Sequence, residues 1–65
     1  MPKASDQLME YAVKKAEYHI ELAESHIKSK EPEIAKRLLL SAAEWYTKAG
    51  LTDKANEVKE RANSL

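Results

Sequence analysis

Two histidines, His19 and His26, seven residues apart, are the side chains of this chain most open to a metal reading. On a helix they would share a side yet stand about 10.5 Å apart along the axis, too far to meet at one ion with nitrogen bonds near 2 Å. His-x-x-x-His or Glu-x-x-His spacing would be needed. The residues four after them are Ala23 and Lys30, and those three before are Ala16 and Ala23. No metal centre is expected, and both histidines belong at the border of core and solvent. Glu17 and Glu21 stand four apart, a spacing at which two carboxylates could divide acid and base work. Nothing beside them in sequence desolvates one or supplies a nucleophile. One glycine leaves no phosphate-binding loop, and the absence of cysteine removes thiolate chemistry and disulfides. The residues predict no catalytic group, no cofactor and no metal, so not an enzyme.

Composition narrows the class further. Eleven Lys and Arg balance eleven Asp and Glu, with the signs interspersed, so no field gathers nucleic acid or an anionic membrane. No run approaches the eighteen or so apolar residues of a membrane span, and the start Met1-Pro2-Lys3 is followed by no apolar stretch. A soluble, cytoplasmic protein without membrane insertion is the expectation. Sixty-five residues make one domain, near the size at which a single core is marginal and self-association helps.

The elements come from the punctuation. Pro2 and Pro32 suit first helical positions, where a missing N–H costs nothing, and Gly50 suits a left-handed C-cap. They divide the chain into helices at about 4–29, 32–49 and 52–64, with Ser5 or Asp6 capping the first and Thr52 or Asp53 the third. Short connections make neighbours antiparallel. A doubled spacing supports this: Ala23, Ala35 and Ala42 are separated by twelve and seven residues, as are Ala43, Ala55 and Ala62. The same offset of twenty pairs Glu24 with Glu44 and Lys28 with Lys48. Small residues at those places let backbones approach, predicting two overlapping hairpins that share the second helix. The fold class is therefore all-α, a three-helix antiparallel bundle spanning 1–65.

The stripes then assign faces. The third helix carries Leu51, Ala55, Val58, Ala62 and Leu65, and the second Ala35, Leu38, Leu39, Ala42, Trp45, Tyr46 and Ala49. Leu38, Leu39, Ala42 and Trp45 are expected at the centre of the core. The first helix has Met9, Ala12, Val13, Ala16, Ile20, Ala23 and Ile27 as its main stripe. Leu8, Tyr11, Tyr18 and Leu22 carry the apolar arc round a second side, with Glu10, Lys14, Glu17, Glu21, Glu24 and Lys28 as the polar remainder. Two partner helices cannot easily cover so wide an arc. Either Tyr11 and Tyr18 lie flat with their hydroxyls in water, or they and Leu22 meet another chain. Leu40 points away from the core beside Lys36, Ala43, Glu44 and Thr47, as a single exposed leucine or a second contact. Glu10 to Lys14 and Glu24 to Lys28 are i to i+4 pairs in the favourable order.

Residues 42–62, with Ala43, Tyr46, Gly50, Ala55 and Ala62, resemble the central part of a tetratricopeptide repeat. Thr52 and Lys59 stand where an aromatic and a large apolar residue are usual. The offset of twenty differs from the thirty-four of that family, so no solenoid of separate repeats follows. Residues 23–42, with Ala23, Ala35, Leu38 and Ala42, are similar to the first hairpin of the MIT domain, a three-helix unit. That resemblance implies binding of helical or extended peptides, including those of membrane-remodelling filament subunits.

The expected function is a non-enzymatic protein-binding module that receives a partner helix or peptide on Tyr11, Tyr18, Leu22 and Leu8, with Leu40 as a further candidate. The alternatives are a self-assembling homo-oligomeric scaffold using the same face, MIT-like binding of filament subunits, or a designed or excerpted helical segment with no biological ligand.

Overall fold

A computed structural model describes the backbone of residues 2–65 and the side chains of residues 6–65. Three helices form: α1, Pro2–Lys28; α2, Pro32–Lys48; and α3, Thr52–Asn63. Each lies within two residues of its expected range. The caps differ. Helix α1 already runs through Asp6, so Asp6 does not cap it, and the side chain of Ser5 lies outside the described residues. Leu51, with no side-chain cap bond, occupies the N-cap of α3, which moves Thr52 and Asp53 inside the helix. Pro32 stands at the start of α2 as expected.

Both turns are Schellman motifs, and they are equivalent under the offset of twenty. After α1, the Lys30 N–H donates to the carbonyl of Ile27 at 3.0 Å and the Glu31 N–H to that of His26 at 2.8 Å. After α2, Gly50 donates to Thr47 at 2.9 Å and Leu51 to Tyr46 at 2.9 Å. The pivots are left-handed in both, with φ of 61° at Lys30 and 79° at Gly50. The first turn is also braced by His26, whose Nδ1–H donates to Glu31 Oε1 at 2.8 Å. Such short turns return each helix antiparallel to the one before.

All the alanines of the doubled spacing are buried. Ala23 on α1 and Ala35 and Ala42 on α2 mark one close crossing, and Ala43, Ala55 and Ala62 mark the other. Helix α2 is the shared element: it packs on both neighbours, whereas among the described residues no Cα of α3 comes within 8 Å of one in α1. Only long side chains bridge that gap, Arg61 Nη2 reaching Glu24 Oε2 at 3.4 Å.

The core centre is shifted from its expected place. Leu39 and Ala42 are fully buried, but Leu38 and Trp45 are half-buried, while Tyr46 and Ala43 are buried instead. The reason is the shared role of α2. Its buried arc must face α3 as well as α1, which draws in Ala43 and Tyr46 and leaves Trp45 on the outer flank of the α1 contact. Ala43 therefore belongs to the core rather than to the surface beside Leu40. Met9, placed in the main stripe of α1, is exposed. Neither expected i to i+4 ion pair closes, and Glu24 turns to Arg61 instead.

Candidate protein-binding face

Helix α1 has 27 residues against 17 in α2, a difference of about 15 Å at 1.5 Å per residue. Tyr11 meets Trp45, one turn before the end of α2, so the first two turns of α1 project past its partner. That overhang has nothing to bury Leu8 and Met9. Leu8 is 69% exposed, and Tyr11 and Tyr18 are each 54% exposed.

Tyr11, Tyr18, Leu22 and Leu8 fall within about 80° around α1 at 100° per residue. The four candidates therefore share one face. Leu22 is half-buried but is not packed on the core cluster. Sequence reasoning placed Trp45 in the core and so missed its part here. The Trp45 ring stands edge-on to Tyr11, centroids 5.7 Å apart at 85°, a pairing that contributes about 0.5–1.5 kcal/mol beyond area. Lys48 Nζ lies 4.5 Å from the Trp45 centroid and Lys15 Nζ lies 5.8 Å from that of Tyr11. The face is thus two helices wide, with aromatic rings held upright and two ammonium groups over them. Leu40 does not belong to it, since it sits five residues, about 140°, around α2 from Trp45.

The histidines take different places. His26 braces the first turn as described. His19 has its ring against Tyr18, centroids 5.8 Å apart, and its buried Nδ1 has no partner. Among the described residues no three His, Asp or Glu side chains gather in a ligand cluster. Burial first, and then the nearby Glu17 carboxylate, raise the Tyr46 phenol above the ordinary 10.0.

On the far side of α1, Asp6, Met9, Glu10, Val13, Lys14 and Glu17 lie along one face of that helix, all but Val13 exposed. Glu10, Lys14 and Glu17 are exposed there, as the polar wedge of α1 requires. No helix of the described residues is long and apolar enough to cross a membrane. No protein-family model, curated protein or solved structure matches the chain.

Proposed function

We propose that this protein is a binding module that docks a helical segment of another protein on the α1–α2 face formed by Tyr11, Tyr18, Leu22 and Trp45. The observation that carries this is the concentration of exposed large apolar side chains on one face of α1: Leu8, Tyr11 and Tyr18 are all open to solvent. An amphipathic helix would add apolar residues at i, i+3 or i+4, and i+7 to the row of rings. Tyrosine and tryptophan suit that task, being large and needing few torsions fixed.

A second reading, a self-assembling scaffold, draws on the same exposed apolar residues, on a chain of zero formal net charge. The MIT-like reading makes the partner a peptide of a membrane-remodelling filament subunit. It draws on the two hairpins that share α2.

Sedimentation across a concentration series separates the first two readings, a monomer favouring a foreign helix and a tight dimer favouring self-assembly. Replacing both rings (Tyr11→Ser with Tyr18→Ser) is expected to abolish whichever association occurs. If oligomeric state and all partner binding survive that double change, the face is not an interface. Trp45, the sole tryptophan, gives the optical readout, since occupation of the face changes its solvent contact.

A further inference from the structure

We infer that the partner helix docked on the α1–α2 face is acidic, an amphipathic helix of about four turns whose apolar stripe is flanked by carboxylates. The inference rests on the docking reading above and adds to it the charge of the occupant. Two contacts fix the register of the antiparallel pair: Tyr11 meets Trp45, and His26 meets Glu31 at 2.8 Å. Along that register Leu22 falls opposite Ile34, which is 42% exposed and lies eleven residues, about 20° around α2, from Trp45. The face is therefore a groove with one wall from each helix, Tyr11, Tyr18 and Leu22 on the first and Ile34 and Trp45 on the second. From Leu8 to Leu22 it runs about 21 Å, which is about 14 residues of helix.

The charges along this groove have one sign. Lys15 holds its Nζ over the Tyr11 ring and Lys48 over the Trp45 ring, one ammonium on each wall. Among the described residues neither has a carboxylate partner. No Asp or Glu lies within the arc of α1 that carries the apolar row. The first carboxylate beyond it, Glu21, stands about 80° round from Tyr11, and on α2 Glu44 stands about 100° round from Trp45. Glu31, at the turn, is already bonded to His26. An occupant seated between the walls meets an ammonium on each side of its apolar stripe. Carboxylates at those places complete the contact, and a basic helix is repelled.

Other occupants fit this groove less well. Lys15 is the midpoint of the row from Leu8 to Leu22, so a second copy laid antiparallel to bury the whole row sets Lys15 against its own twin. A single-stranded nucleic acid needs free ring faces on which to stack its bases. Here Lys48 covers the Trp45 ring at 4.5 Å, and Tyr11 stands edge-on to it.

The test uses the full chain and two helix-stapled synthetic peptides without tryptophan, each with a leucine stripe on one face. In one, glutamates flank the stripe; in its twin, lysines stand at the same places. Trp45, the sole tryptophan, reports occupation by fluorescence, and amide shifts on the isotope-labelled chain locate it. The acidic peptide is expected to saturate, to shift Tyr11, Lys15, Tyr18 and Trp45, and to bind at least about tenfold more tightly than the twin at low salt. Added salt should narrow that gap. The protein variant Lys15→Glu with Lys48→Glu, its helicity checked by circular dichroism, should reverse the preference, and Lys15→Gln with Lys48→Gln should erase it. Tyr11→Ser with Tyr18→Ser should lose both peptides. Equal binding of the twins by the parent overturns the acidic partner and leaves the face a docking site, whereas no saturation of either at millimolar concentration overturns the docking reading as well. Tighter binding of oligothymidylate than of the acidic peptide, or a dimer in sedimentation that covers Tyr11 and Tyr18, also overturns the proposal.

Discussion

Lys30→Gly should stabilise the protein, and the internal repeat says why. Lys30 and Gly50 hold equivalent places in the two turns, with φ of 61° and 79°, but only one of them is the residue that adopts this conformation freely. A left-handed non-glycine residue costs about 1–2 kcal/mol from contact of its Cβ with the following carbonyl. Glycine gives back about 0.4–1 kcal/mol of that through its greater freedom in the unfolded chain. Taken at the middle of both ranges, the net gain is about 0.8 kcal/mol. In a domain of this size 1 kcal/mol moves Tm by about 4–8 °C, so a rise of about 2–8 °C is expected. Lys30 is exposed and makes no ion pair among the described residues, so no lost contact opposes the gain. Thermal unfolding followed by circular dichroism at 222 nm, with urea titration for the free energy, measures it. Gly50→Ala is the reverse experiment: an added Cβ meets nothing within 4 Å, so any loss, about 1 kcal/mol, comes from the backbone angle alone. An unchanged or lower Tm for Lys30→Gly, with helicity intact, would refute the equivalence of the turns.

Other outcomes follow from the core. Leu39 is the largest fully buried side chain, so Leu39→Ala should cost about 2–5 kcal/mol, which in a core this small leaves little folded protein, as urea titration will register. Tyr46 gives an alkaline limb. Burial and Glu17 hold its folded pKa above the 10.0 of the unfolded chain, so its contribution is complete below pH 10 and declines as pH rises through the folded value. Tyr46→Phe should flatten that decline. The difference between parent and variant melting curves is the quantity to read, and parallel curves would count against the assignment.

Most of the fold was legible because it depends on periodicity and on a few residues with one dominant use. Pro32 starts a helix, Gly50 ends one, and alanines twelve and seven apart mark crossings. The turn at Lys30 was not legible, since lysine carries no left-handed preference and only its place twenty residues before Gly50 hints at the angle. Trp45 and Tyr46 were harder to separate because they are adjacent and both belong to the apolar arc of α2. Which one is buried depends on where α3 docks, a tertiary choice that the stripe of α2 does not contain. The candidate face was half legible for the same reason. Tyr11, Tyr18, Leu22 and Leu8 share a helix and declare themselves by phase, whereas the Trp45 contribution comes from the neighbouring helix, and Leu40 is exposed on another side of α2.

The overhang of α1 is where structural need and sequence part company. Residues that merely extended a helix past its partner would gain nothing from apolar side chains, and alanine, glutamate, lysine or arginine would hold the helix as well or better. Ordering each residue there costs about 1–2 kcal/mol of backbone entropy, offset by the helix hydrogen bonds but by little core burial. Leu8 and Met9 add a further cost by holding apolar surface in water. The bundle does not explain them, since the core closes on Ala12 and Ala16 without their help. The contact proposed above, made outside the chain, would account for an apolar surface that adds little to folding. The double variant Tyr11→Ser with Tyr18→Ser should then remove that contact while the bundle stays folded.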